Sequence, residues 1–276
     1  MSNFKSPLGF IILDSALDDT LEINHKIKDL AKDLNFSIYH KNTEDLDPLS
    51  PKLIHRDGKW QIFTRDISVR TSIDFLEPTI ISRVDSKTIN RENLVRAVRG
   101  RKSNNKIISV LDGTAGLGRD AFLLAASGCN VIAIENLKVI FFLLREALQR
   151  ISSSGNKLSF IAERLQFKYG DSIDYMNKLS GTYPDVIYLD PMYTSSSSRG
   201  LKKTASTKKS IKILQDIYSY QIKYKNSNNS MMLKLALSIA KNKVVVKRPP
   251  NSDFLEGVKP ASSLTGKTAR FDIYPT

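Results

Sequence analysis

Apolar positions recur along this chain with two different periods. Residues 8–13 and 36–40 are short apolar runs with strand character. Between them Leu21, Ile23, Ile27, Leu30, Ala31 and Leu34 follow helical spacing. Two more strand-like runs, 52–55 and 60–64, are joined by Arg56-Asp57-Gly58-Lys59, whose Asp-Gly pair supplies the backbone freedom of a hairpin turn. The stretch 45–51 interrupts this pattern, because Pro48 and Pro51 each push the preceding residue out of the helical region. From Lys106 onward, apolar runs at 107–111, 130–134, 165–169, 185–189 and 243–247 alternate with helical patterns near 118–127, 137–151, 172–179, 208–222 and 231–240. Alternation of this kind predicts parallel strands covered by helices on both faces. Residues 270–274 close the chain as a strand with no helix after it, which suits a late antiparallel addition.

The pattern divides the chain into a small N-terminal α+β domain over residues 1–75, a basic connecting segment over 76–105, and a larger α/β domain over 106–276. The connecting segment carries Arg83, Lys87, Arg91, Arg96, Arg99, Arg101 and Lys102. Asn90 is placed to cap a helix running through Val98, which would turn Arg91, Arg99 and Lys102 toward solvent. Such a segment is either an RNA-facing arm or a solvated linker helix. Across the chain, 42 lysines and arginines face 28 acids, a net charge of +14. That excess favours a polyanionic partner, since basic side chains displace counterions condensed on phosphates. No apolar run approaches the ~20 residues that span a bilayer; 139–144 is the densest. The lone Cys129 excludes an internal disulfide and most zinc sites. The first ten residues lack the order of a signal peptide, so the cytoplasm is the expected location.

The stretch Asp112-Gly113-Thr114-Ala115-Gly116-Leu117-Gly118-Arg119-Asp120 joins a predicted strand to a predicted helix. Glycine suits such a turn because it reaches positive φ and lets a ligand approach the main chain. The spacing is G-x-x-G-x-G, whereas a dinucleotide fingerprint wants G-x-G-x-x-G. A P-loop is disfavoured because no Lys and Ser/Thr follow the last glycine. A nucleoside without phosphate, such as S-adenosylmethionine, remains the better ligand. With the mostly parallel sheet and one late antiparallel strand, this fits a Rossmann-like class I methyltransferase architecture.

Four acids fall at successive strand ends, where an open α/β sheet gathers its ligands: Asp112, Glu135, Asp171 and Asp190. Glu135, followed by Asn136, is placed to accept bonds from ribose hydroxyls, and Asp171 with Ser172 to hold the adenine amino group. Either acid could instead cap a helix. Asp190-Pro191-Met192-Tyr193 resembles the (D/N)PP(Y/F/W) signature of methyltransferases acting on exocyclic amines of bases. An aromatic amine is a poor nucleophile because its lone pair is delocalised into the ring. A carboxylate accepting its N–H bonds favours the pyramidal, nucleophilic geometry, while Pro191 stiffens the turn, Met192 helps shape the pocket and Tyr193 offers a stacking face. Arg199, Lys202, Lys203, Lys208 and Lys209 follow among serines and threonines, as a basic loop for RNA phosphates would require. Lys247 and Arg248, at another strand end on the same edge, could add phosphate contacts. Cys129 sits between the first helix and second strand of this domain, away from the crevice, and is expected to behave as a small buried hydrophobe.

Taken in order, DGTAGLGRDAF (112–122), GCNV (128–131), ERLQ (163–166), VIYLDPMY (186–193), KK (208–209), VVVKRP (244–249) and RFDIY (270–274) resemble the ribosomal RNA small subunit methyltransferase J family. The resemblance implies methyl transfer from S-adenosylmethionine to the N2 amine of one guanosine in 16S ribosomal RNA, free or within the small subunit. It also implies cofactor contacts at Arg119-Asp120, at Glu135-Asn136, at Asp171-Ser172 and at Asp190. The chain departs from the family pattern at Asn136, Asp171 and Thr194, and at residues 83–88, where a glycine-rich basic segment is usual. Two other readings stay open: an amine methyltransferase acting on adenine in RNA or DNA, and a non-catalytic RNA-binding or assembly protein on the same fold.

Overall fold

The computed structural model describes residues 8–13, 21–40, 45–85, 87–100, 107–153, 155, 158–191, 205–222 and 231–276. In chain order these form β1 (Phe10–Leu13), α1 (Leu21–Leu34), β2 (Ser37–His40), β3 (Lys52–Arg56) and β4 (Lys59–Phe63). Next come α2 (Pro78–Ile81), α3 (Asn93–Arg99), β5 (Ser109–Asp112), α4 (Arg119–Ala126), β6 (Asn130–Glu135), α5 (Lys138–Ser153) and α6 (Ser159–Arg164). The rest are β7 (Leu165–Tyr169), α7 (Ser172–Asn177), β8 (Val186–Leu189), α8 (Ala205–Ile222), α9 (Met232–Ile239), β9 (Lys243–Arg248), β10 (Ser262–Thr265) and β11 (Arg270–Pro275).

Contacts divide the chain into two compact units, Met1–Ile73 with Lys203–Asn228, and Asp74–Lys202 with Asn229–Thr276. The first holds a four-stranded sheet in the order β2-β1-β3-β4. Its β3–β4 hairpin turns through Asp57 and Gly58 at φ 53° and 69°, the paired left-handed conformation that makes Asp-Gly a favoured hairpin dipeptide. Ile27, Ala31 and Leu34 bury one stripe of α1. Helix α8 belongs to this unit, although sequence order sets it between two strands of the other. Asp216 on α8 shows why: its carboxylate accepts from Thr64 Oγ1 and Arg65 Nε at 3.1 Å each, and Lys212 lies 2.9 Å away.

The second unit carries a seven-stranded sheet, β10-β11-β9-β8-β5-β6-β7. Strands β5 to β9 pair in parallel, and β11 lies antiparallel between β9 and β10. This is the mostly parallel α/β sheet with one late antiparallel strand that the alternation predicted. Strand β10 was not predicted, because SSLT is largely exposed and lacks an apolar face. Its ladder with β11 holds it instead. The chain leaves β5 toward β6 and β7 on one side, and returns through β8 on the other. That reversal makes the tip of β5 the switch point where an open sheet leaves a crevice. Helix α5 buries Val139, Ile140, Leu143, Leu144, Ala147 and Ile151, a stripe at three- and four-residue spacing. Phe75 stacks on Phe122 with ring centroids 4.5 Å apart and lies parallel to Phe167 at 6.2 Å, filling the space beneath the glycine turn.

Helix α3 corrects one expectation. It begins at Asn93, and Asn90 lies in a preceding 3₁₀ turn, Ile89–Arg91. The later start lets Leu94, Val95, Ala97 and Val98 face inward together. Arg91 is exposed as expected, but Arg99 is not turned to solvent. Its Nη1 reaches Cys129 Sγ at 3.8 Å, and its buried Nε has no hydrogen-bond partner among the described residues. Lys102 lies outside the described residues. Cys129 is fully buried, as its sequence position suggested. Among the described residues no helix is long and apolar enough to cross a membrane.

Candidate active site

Strand β5 delivers Asp112 to the switch point, and the glycine turn that follows is tied to its neighbours on both sides. Gly113 N donates to the Tyr188 carbonyl of β8 at 3.0 Å, and Ala115 N to the Ile134 carbonyl of β6 at 3.0 Å. Ser172 Oγ donates to the Gly113 carbonyl. Two of the three glycines are left-handed, Gly116 at φ 52° and Gly118 at φ 72°. They do different work. A Cβ on Gly118 would lie 2.6 Å from Leu144 Cδ2 and 3.0 Å from Phe75 and Phe167, so this glycine lets α4 seat on the core. Among the described residues, a Cβ on Gly116 would meet only the Thr114 carbonyl, at 3.8 Å, which leaves room for a ligand to approach the main chain there.

The carboxylates predicted at strand tips belong to neighbouring strands: Asp112 and Glu135 close β5 and β6, while Asp171 and Asp190 follow β7 and β8. Asp112 is 1% exposed and Glu135 6%. Asp112 Oδ1 accepts from Thr114 N at 2.8 Å; Glu135 Oε1 accepts from Leu137 N at 2.8 Å. Among the described residues neither has an ion-pair partner. Burial pushes the Asp112 carboxyl up to about 8, with the charges of Asp120 and Asp190 adding to it, and burial pushes Glu135 up to about 7. Two dehydrated acids without a cation suit a ligand that brings a positive charge and hydroxyl donors. The sulfonium and ribose of S-adenosylmethionine supply both, so these residues fit that cofactor. Asn136 follows directly and is half-buried. Asp171 caps α7 with one carboxylate oxygen, its Oδ1 accepting from Ile173 N at 2.8 Å and Asp174 N at 3.1 Å.

Asp190 hangs from the glycine turn. Its backbone N donates to Thr114 Oγ1 at 2.5 Å, and that hydroxyl lies 3.4 Å from Asp112 Oδ1. Its Oδ2 accepts from Lys247 Nζ at 2.9 Å, and the same ammonium donates to Asp120 Oδ2 at 2.6 Å. Tyr188 OH also donates to Asp120 Oδ2, at 2.7 Å. Burial opposes the charge on both partners, yet attraction wins: Lys247 holds Asp120 below the usual carboxylate range, and Asp120 with Asp190 raises Lys247 above the usual lysine value. Lys247 is therefore not a surface cation for phosphates, as its place at a strand end suggested, but the bridge between two site acids. Arg248 is corrected likewise: it is 5% exposed and its Nε donates to the Asp253 carbonyl at 3.0 Å. Asp120 turns to Lys247 and Tyr188, and Arg119 lies 3.6 Å from Glu77. Pro191 follows Asp190 at the end of the described stretch, half-buried. Met192, Tyr193, Arg199, Lys202 and Lys203 lie outside the described residues, while Lys208 and Lys209 fall within α8.

Sequence reading missed the centre of this network. Two signals pointed to it: a tyrosine hydroxyl in the buried strand VIYL, and a lysine interrupting the apolar run VVVKR. Each polar group in such a strand needs a partner, and here they share Asp120.

Comparison with known proteins places these features. Residues 50–276 match the family model of putative SAM-dependent methyltransferases. Ribosomal RNA small subunit methyltransferase J of Francisella philomiragia is 38% identical over 202 residues, 73% of this chain and 79% of its own length. The protein of the same name from Nitrosococcus oceani is 39% identical over 205 residues, 74% and 76% of the two chains. The crystal structure of a SAM-dependent methyltransferase from Neisseria gonorrhoeae superposes with a TM-score of 0.66 over 97% of this chain and 95% of that one, a likeness of fold at 24% identity. With its glycine turn, strand-tip acids and Asp-Pro corner on such a sheet, the chain belongs to the ribosomal RNA small subunit methyltransferase J family of S-adenosylmethionine-dependent methyltransferases.

Proposed function

We propose that this protein methylates the N2 amine of a guanosine in 16S ribosomal RNA, acting in the cytoplasm on the free RNA or the small subunit. The relatives' names supply the substrate class. The observation that carries the chemistry is the 2.5 Å bond from Asp190 N to Thr114 Oγ1, which makes the acceptor corner and the cofactor turn one hydrogen-bonded unit. S-adenosylmethionine, when bound, supplies a methyl group activated by its sulfonium. The chain's task is then placement, which contributes much of the rate in a transfer of this kind. Asp190 accepts an N–H of the guanine amine, Pro191 and Met192 shape the corner, and Tyr193 stacks on the base. Asp112 and Glu135 hold the nucleoside of the cofactor, and Asp171, beside Ser172, reaches it with the carboxylate oxygen that does not cap α7.

The assay is incubation with small-subunit RNA and isotopically labelled cofactor, followed by nucleoside mass spectrometry. Labelled N2-methylguanosine is the expected product. N6-methyladenosine would replace this reading with the adenine one, and RNA binding without label with a non-catalytic role.

Cofactor affinity should depend on pH. Only ionised Glu135 offers both oxygens as acceptors to ribose hydroxyls. Its pKa stands near 7, so binding favours the deprotonated form. The Glu135 contribution is held above that value and falls roughly tenfold per unit below it. Asp112, near 8, extends the same trend upward. Calorimetry at pH 6, 7 and 8 reads the effect, and Glu135→Gln should flatten its lower limb. An unchanged affinity across that range removes Glu135 from the ribose contact.

A further inference from the structure

A second feature opens beside the acceptor corner. A cavity of about 570 Å³ lies between the segment 83–93 and the turn 266–269 that joins β10 to β11, with Asp120 and Lys247 in its wall. That volume is in the range of pockets that hold a small ligand or one nucleotide. Its lining is polar and basic: Arg83, Arg91, Lys247 and Lys267 face Glu92 and Asp120. Both acids are already committed. Arg83 donates from Nε and Nη2 to the two oxygens of Glu92 at 3.0 and 3.2 Å, and Lys247 neutralises Asp120 at 2.6 Å. Arg91 and Lys267 are left over. Both are exposed, one from each of the two segments that line the cavity, and neither side chain has an ion-pair or hydrogen-bond partner among the described residues. Thr88 and Asn93 add hydrogen-bonding groups suited to a base edge or sugar.

The cavity is joined to the acceptor corner by one side chain. Lys247 Nζ, in the cavity wall, stands 2.9 Å from Asp190 Oδ2. An RNA strand whose target base sits at Asp190 must continue past this wall in one direction. We infer that the cavity seats a nucleotide neighbouring the methylated guanosine, with Arg91 and Lys267 gripping the phosphates on either side of it. RNA is favoured over a free small anion because the cavity adjoins the acceptor corner through Lys247, so its occupant would be continuous with the target base. Contacts of this kind position a nucleic acid while the base pocket selects the target. The inference rests on the RNA methyltransferase reading above.

The test is the double variant Arg91→Ala with Lys267→Ala, both surface positions outside the cofactor site. Three quantities are measured: KM for in vitro transcribed small-subunit RNA, the salt dependence of RNA binding by filter retention, and cofactor affinity by calorimetry. The expected result is a KM for RNA raised at least about tenfold and a slope of log affinity against log salt reduced by about 1.4, at about 0.7 per single-strand phosphate contact. Cofactor affinity and kcat at saturating RNA stay as in the parent, and Arg91→Lys with Lys267→Arg restores most of the loss. An unchanged KM and an unchanged salt slope overturn the cavity's assignment while leaving the methyltransferase reading intact. A change seen only with assembled subunits, and not with protein-free RNA, also overturns it, in favour of a ribosomal-protein contact. If the parent methylates no RNA, the earlier reading fails, and the salt slope still decides the cavity.

Discussion

Asp190→Ala is expected to lower kcat for methyl transfer by about 10³-fold, the scale lost when one preorganised hydrogen-bonding group is removed from a reacting centre. The fold should hardly notice. The bond that fixes this corner, Asp190 N to Thr114 Oγ1, is made by the main chain and survives the substitution. Lys247 keeps Asp120 as a partner, so no ammonium is stranded. Thermal unfolding should therefore stay within about 1 kcal/mol of the parent. Asp190→Asn keeps an acceptor oxygen and should retain more activity than the alanine variant, in line with the Asp or Asn allowed by the signature. A Asp190→Ala protein that kept more than a tenth of its activity would remove this carboxylate from the acceptor role.

Lys247→Met tests the bridge itself. Methionine keeps much of the length and packing of the side chain and deletes the charge. Asp120 is then left largely buried, with Tyr188 OH its one remaining hydrogen-bond donor among the described residues. Removing one partner of a buried pair costs about 3–5 kcal/mol; Lys247 is 28% exposed along its side chain, so about 2 kcal/mol is the better expectation here. The pH dependence separates this from a packing defect. In the parent, Asp120 is held below its ordinary pKa, so its contribution to stability is present above that range and lost in acid. Without the ammonium, burial dominates and the folded pKa of Asp120 rises above the unfolded one. Its effect reverses: the variant's deficit is largest near pH 8 and shrinks toward pH 5 as Asp120 takes up a proton. Denaturant melts at the two pH values read the difference, and adding Asp120→Asn should recover most of the loss. A deficit equal at both pH values would mean that Lys247 acts through packing alone. Activity should fall as well, because Asp190 Oδ2 loses the group that orients it.

Much of the fold was legible in the chain because its signals are local. Asp57-Gly58 dictated a hairpin, and the turn adopts the paired positive φ that only such residues accept cheaply. The apolar runs of β5 to β9 are long enough and bounded clearly enough to stand out as buried strands, and the glycine turn announces where the sheet switches direction. The small α6 and the edge strand β10 escaped for the opposite reason. SFIAER follows a serine-rich stretch and is only six residues long, while SSLT is held by a ladder to β11 and has no buried face to mark it.

The site divides in the same way. That acids would stand at the tips of β5, β6, β7 and β8, and that Asp190 would follow β8 at the turn, came from the residues alone, since a strand fixes where its last side chain lies. Which charge meets which acid did not. Lys247 and Arg248 read as surface cations until β9 was paired between β8 and β11, where one ammonium falls between Asp120 and Asp190 and the guanidinium turns inward to the Asp253 carbonyl. Arg91 and Lys267, 176 positions apart in the chain by their numbering, came to share one cavity. Short-range periodicity and turn chemistry are written residue by residue. Partnerships between distant charges depend on strand order and on how much water each group loses, and only the assembled sheet sets those.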